Sequence, residues 1–287
     1  MNNNQKDDYV YDIEQYRNYH CSVWFSLRTK KLTVFQIHSE TTKEELREYM
    51  IFLTTKIQTG IGFNNLRYDS RMLDTLVKNI KPDYTGDFIN KQMKEVNDRI
   101  LNIKDWYNNK TENIFRNLDL FKIHHYDNLA KSQSLKGLQF EMGWKSVQET
   151  PIHFDAFVKK KDRQVIIDYC INDVMSCYEF FKISLPKIKL RKKLSTKYNL
   201  DFTNDADSTI GEKLFLKLYC DKTGLSSYEV KKLSTSHETL NFSDLLLPFI
   251  NFKTPEYQEI HSAFKQRVYM GHKDFKMQKT IKGITYV

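Results

Sequence analysis

Hydrophobic and polar positions alternate with a period of two over Tyr9-Val10-Tyr11-Asp12-Ile13-Glu14, which predicts a strand with Asp12 and Glu14 on one face, roughly 6–7 Å apart. Residues 21–27 and 32–37 repeat the strand composition around the polar Arg28-Thr29-Lys30-Lys31, as in an antiparallel hairpin. The period then changes. Thr41-Thr42-Lys43-Glu44-Glu45 has a capping signature, and Leu46, Tyr49, Met50 and Leu53 follow at helical spacing, predicting a helix to about residue 57. Gly60-Ile61-Gly62-Phe63 reads as a short strand running into a turn at Asn64-Asn65. Asp69 opens a helix through Met72, Leu73, Leu76 and Val77 that ends before Pro82. Residues 83–116 are polar with scattered Ile, Met and Trp; they read as an inserted helical segment, with a solvated spacer as the simpler alternative. Residues 118–123 supply a fifth strand and Ser134 starts a short helix. The clearest helix spans 162–183, with Val165, Ile166, Tyr169, Cys170, Val174, Cys177 and Phe181 on one face. A meander followed by alternating strands and helices implies an α/β fold: a mixed five-stranded sheet with helices on both faces.

From residue 184 the pattern differs. Lys187, Lys189, Arg191, Lys192, Lys193 and Lys197 form a basic run, and helical spacing recurs around 208–221, 226–232, 242–250 and 256–269. Residues 275–287 look like strand, with Lys282-Gly283 as a turn. The pattern therefore divides the chain into residues 1–183 and a mainly helical extension, 184–287, which reads as an accessory domain or as the start of a further body.

Composition narrows the class. With 40% hydrophobic and 14% aromatic residues in 287, the chain has ample material for a core, which excludes intrinsic disorder. Its net charge of +9 makes a polyanion a natural partner. Cys21, Cys170, Cys177 and Cys220 include no C-x-x-C pair and suit a reducing compartment. The polar amino terminus lacks the apolar stretch of a signal peptide, and no window is apolar enough for a membrane span, so a soluble, cytoplasmic protein is expected, in the host cytoplasm if the chain is viral.

The candidate chemistry is carboxylate chemistry. A strand of Tyr, Val and Ile with two acids on one face calls for a neutralising cation, because an unpaired buried charge is very costly. Asn65-Leu66-Arg67-Tyr68-Asp69 brings a third acid to the start of a helix. Tyr169 and Asp173 bring a phenol and a fourth acid to one helical face at i, i+4 spacing. His124-His125 has no second ligand cluster and reads as surface or packing. The aromatics Trp24, Phe25 and Phe35 read as core, and the basic run reads as a solvated helix face or a nucleic-acid contact.

With Asp12-x-Glu14, Asn65-x-x-Tyr68-Asp69, Tyr169-x-x-x-Asp173 and Ser134-Leu135-x-x-Leu138 in this order, residues 9–183 resemble the DEDDy 3′-to-5′ exonucleases of ribonuclease-H-like fold. The resemblance is strongest to the proofreading domain of bacteriophage family B DNA polymerases. It implies that Asp12, Glu14, Asp69 and Asp173 are catalytic and hold two Mg²⁺ or Mn²⁺ ions, and that Tyr169 orients the attacking water. It further implies that Asn64 or Asn65, Tyr68, Ser134 and Leu135 contact substrate, and that the partners are a single-stranded DNA 3′ end and a polymerase domain C-terminal to residue 287. Asn64 fits a version of the second motif with one more intervening residue, so either asparagine fits. The histidine subclass would need His where Asp168 stands, which leaves the tyrosine subclass. Two other readings accompany this one: a free-standing DNA or RNA exonuclease, and a nuclease-dead binding module.

Overall fold

The structure is a computed structural model, and it describes residues 5–79, 81, 84–102, 113–233, 237–270 and 278–286. Three antiparallel strands come first: β1 (Asp7–Gln15), β2 (His20–Ser26) and β3 (Leu32–Ile37). Helix α1 (Lys43–Ile51) starts at a full capping box, Thr42 with Glu45, and widens into a π-turn over Phe52–Lys56 before β4 (Ile57–Gly62). Then come α2 (Asp69–Asn79), α3 (Gly86–Asn102) and β5 (Arg116–Asp119). The one-turn α4 (Leu120–Ile123), α5 (Leu135–Glu141) and the 36-residue α6 (Arg163–Tyr198) follow. The sheet order is β3-β2-β1-β4-β5, with β4 and β5 parallel to β1. The expected mixed five-stranded α/β sheet is therefore present.

Alternation along the strands divides the core in two. Val10, Cys21, Val23, Phe25 and Ile61 pack on one face, against Ile166, Cys170, Val174 and Cys177 of α6. Tyr11, Ile13, Trp24 and Ile37 pack on the other, against Leu46 and Leu53 and against residues of α2 and α3. Helices cover both faces, as the alternation requires.

Three expectations for this part of the chain change in detail. The strand placed at 118–123 is β5, ending at Asp119; the Asp119 side chain accepts from the Phe121 amide and turns Leu120 and Ile123 inward as one helical turn. The solvated-spacer alternative for 83–116 fails over 86–102, where Ile89, Met93 and Val96 are buried. Gly86 is needed there, because a Cβ would lie 1.9 Å from the His38 carbonyl oxygen. Pro82 and residues 103–112 lie outside the described residues. The clearest helix does not stop at 183. Pro186 is on its exposed side, so the lost N–H bond faces water, and α6 runs on to Asn199, which closes it in the left-handed region at φ 52°.

The compact unit containing the sheet extends to Phe215, and so includes 184–215. The reason is polar as well as apolar. Arg191 is buried and donates to the carbonyls of Ile123, Lys187 and Asp205 and to Asp207, while Phe202 is wholly buried. The second unit begins at Leu216, within α7 (Asp207–Thr223). It holds α8 (Ser227–Lys232), the short pair β6 (Leu240–Asn241) and β7 (Val268–Tyr269), α9 (Phe242–Leu245) and α10 (Pro255–Lys265). It also holds a hairpin of β8 (Lys279–Ile281) and β9 (Ile284–Tyr286) that turns at Lys282-Gly283, both at positive φ. The helix expected over 242–250 is only the single turn α9, and the strand expected over 275–287 is this hairpin, with 275–277 and 287 outside the described residues. No helix among the described residues is long and apolar enough to cross a membrane.

Candidate metal centre

Parallel pairing of β1, β4 and β5 brings their carboxyl ends to one edge of the sheet, where open α/β sheets bind ligands. Asp12 and Glu14 share a face of β1 with Val10, the face covered by α6, and Asp173 of α6 meets them there. Carboxylate oxygens of Asp12, Glu14 and Asp173 all lie within 4.8 Å of one another. Asp69, the first residue of α2, lines the same cleft of about 510 Å³, and its charge is the foremost of those that raise Asp12.

The electrostatics follow from that crowding. Burial first, then the charges of Asp69, Glu14 and Asp173, hold the Asp12 carboxyl well above its ordinary value. Burial, with Asp173 and Asp69, pushes Glu14 up to about 8, and burial pushes Asp69 up to about 7. Asp173 is also raised by burial, against the hydrogen bonds it accepts. Lys136 is the cation that opposes Glu14 and Asp173, and its ammonium is already paired with Glu149 at 2.7 Å. Four acids with so little counter-charge fit a divalent cation; the donors are hard oxygens, with no histidine in the group.

Tyr169 is buried and is not part of the cleft wall. Its hydroxyl sits beside Asp173, one turn along α6; burial, then the charges of Asp173 and Glu14, raise the phenol far above its ordinary value. Asn64 lines the cleft at φ 62°, and Tyr68 and Leu135 line it too. Asn65 does not. It is 1% exposed beneath the cleft, where its amide nitrogen donates to Asn117 at 3.2 Å, and Gly62 leaves the room it needs, since a Cβ there would lie 2.7 Å from Asn65. Ser134 caps α5, accepting from the Gly137 amide, and is also outside the cleft wall. His124 bonds Ser184 and packs on Phe180, the packing role expected of it.

Several residues of the site escaped the sequence analysis. Asp119 accepts from the amides of Asn64 and Leu66, fixing the loop that leads to Asp69. Its signal was present: an acid at the end of an apolar strand, followed by a helical turn. Gln139 donates to Asp173 at 2.7 Å and to Ser176 at 2.8 Å. Asn97 of α3 accepts from the Tyr68 hydroxyl at 2.6 Å. Lys94, one turn earlier, pairs with Asp98 and Asp155 at 2.8 Å each and lies 5.5 Å from the ring centre of Phe154, which lines the cleft. Nothing local marks these last three, because they act across elements distant in sequence. No family model matches the chain, and no curated protein or solved structure matches it either.

Proposed function

We propose that the chain is a metal-dependent 3′-to-5′ exonuclease of the DEDDy type that removes nucleotides from single-stranded DNA ends. In this reading it is the proofreading part of a phage-type family B polymerase whose polymerase domain lies beyond residue 287. The observation that carries the reading is the meeting of Asp12, Glu14 and Asp173 within 4.8 Å, with Asp69 in the same cleft. Asp12, at the centre, would hold both of two Mg²⁺ or Mn²⁺ ions, Glu14 and Asp173 one of them, and Asp69 the other. When bound, such ions make water nucleophilic and neutralise charge on the leaving oxygen.

The chain's own groups supply the rest. Tyr169 keeps its proton near neutral pH, so it positions by hydrogen bonding and does not serve as a base. Gln139 holds one oxygen of Asp173 and so fixes the direction of the other. Phe63, Tyr68, Leu135 and Phe154 offer apolar and aromatic surface beside the acids, suited to stacking unpaired bases. Asn97 fixes Tyr68 by its hydroxyl.

The test is a single-stranded oligonucleotide labelled at either end, with Mg²⁺ or with EDTA. Stepwise shortening from the 3′ end in Mg²⁺ alone is expected. Shortening from the 5′ end, internal cutting, or no cutting would reject the reading, and faster loss of RNA than DNA would move it to the RNA-trimming alternative.

A further inference from the structure

Asp12, Glu14 and Asp119 lie at one end of the sheet, and a second cleft, of about 400 Å³, opens at the other. It is walled by the starts of three strands, at Asp8 of β1, Gln58 and Thr59 of β4 and Arg116 of β5, and by the last turns of α6. On α6, Lys192 is 19 residues past Asp173, about 28 Å along the axis. The two clefts are separate.

This cleft separates the roles of residues in the basic run. Lys187 and Arg191 are committed to Asp207, and Arg191 further to three main-chain carbonyls, so they brace the fold. Lys192 instead faces the second cleft and stands exposed. Among the described residues, the side chains of Lys192, Arg116, Gln58 and Thr59 make no hydrogen bond or ion pair. Two cations and two neutral donors thus line one cleft outside any hydrogen bond or ion pair, with the charge of Asp201 near Arg116. Beneath them, Leu27, Ile61, Leu118 and Phe181 form an apolar floor, and Asp8 is the one carboxylate in the wall.

Anion donors above an apolar floor match a phosphate ester that carries a ring. A bare anion would leave the floor unused, and an apolar ligand would leave the donors unpaired. We propose that this cleft is a second binding site, taking a nucleotide phosphate ester, either as a free nucleotide or as part of a strand. Asp8 suits a sugar hydroxyl or a base amino group on that ligand. The inference does not rest on the exonuclease reading.

The experiment uses the full chain carrying Asp12→Asn and Asp173→Asn, in EDTA, so that the acid cleft holds no metal. Binding of dAMP, short oligothymidylate and inorganic phosphate is measured by titration calorimetry. Saturable dAMP binding is expected, weakened about tenfold or more by Arg116→Glu with Lys192→Glu, because two charge-assisted contacts are reversed. Lys189→Glu with Lys193→Glu makes the same charge change on exposed positions of α6 outside the cleft, and should weaken binding less than about twofold. Unchanged thermal midpoints exclude misfolding of these surface variants. Oligothymidylate binding more tightly than dAMP would identify a strand as the ligand; equal affinity would identify a free nucleotide. Absence of saturable dAMP binding, equal losses in the two charge-reversed pairs, or phosphate binding as tightly as dAMP would overturn the site.

Discussion

Neighbouring residues of β1 meet two unlike surroundings. Tyr11 and Ile13 enter a dense aromatic core, where Tyr11 stacks on Trp24 at 4.5 Å and both rings meet Phe115 edge-on. Asp12 and Glu14 face α6 across a cluster of carboxylates that repel one another. The first face gains from folding through burial and ring packing, about 0.5–1.5 kcal/mol for each good aromatic pair beyond the area buried. The second costs stability while its charges stay uncompensated. The comparison teaches how a strand can present two acids at close range: its other face holds it in place.

Changes on the acid face should alter activity most. Asp12→Asn with Asp173→Asn is expected to abolish nucleolysis while raising the metal-free melting temperature, since repulsion is relieved; calorimetry and the end-labelled assay read both. A lower melting temperature would show that the acids hold the fold together instead. On the aromatic face the signs reverse. Trp24→Ala should cost about 3–5 kcal/mol in denaturant unfolding, through the cavity it leaves. A loss under about 1 kcal/mol would mean that this face does not hold the strand.

Tyr169→Phe keeps the ring and removes the hydroxyl beside Asp173. A loss on the order of ten- to a thousandfold in turnover, with Mn²⁺ affinity unchanged, is expected of a positioning group. Wild-type turnover would make Tyr169 a packing residue.

The acid face also sets a pH dependence of opposite sign to that of most carboxylates. A raised pKa means that the folded state binds the proton more tightly than the unfolded one. The stabilisation is complete below the ordinary carboxyl value and is lost as pH rises through the folded one. For Glu14 that window runs from 4.5 to about 8, and for Asp69 from 3.8 to about 7. The metal-free melting temperature should therefore fall between pH 5 and pH 8, and added Mn²⁺ should flatten the fall. A metal-free midpoint that climbs over this range would contradict the crowding.

Lys94 offers the smallest effect. Lys94→Met removes the ion pairs that tie α3 to Asp155 beside Phe154, and should raise KM for an oligonucleotide a few-fold, with kcat on a small phosphodiester unchanged. Equal losses on both substrates would show a general disturbance of the fold.

The acids of the centre were legible because their spacing obeys local rules: period two on β1, i, i+4 on α6, and a helix start at Asp69. What was not legible depends on distant partners. Asn65 and Asn64 are indistinguishable in sequence, and only packing against Tyr11, Asn117 and Gly62 buries one and leaves the other in the cleft. The charged face of α3 resembled a spacer because its buried stripe, Ile89, Met93 and Val96 with Asn90 and Asn97, includes two polar residues. Asp119 looked like an interior strand position until its three main-chain donors were in place. The helix expected to stop at 183 runs on through Pro186, because the bond lost there lies on the solvent side.

The central claim is that Asp12, Glu14 and Asp173 hold divalent metal. Loss of the free Mn²⁺ signal in electron paramagnetic resonance, followed as metal is added to the full chain, tests it most directly. The account predicts saturable binding by the wild type that disappears in Asp12→Asn with Glu14→Gln and Asp173→Asn. Undiminished Mn²⁺ binding by that triple variant would contradict it.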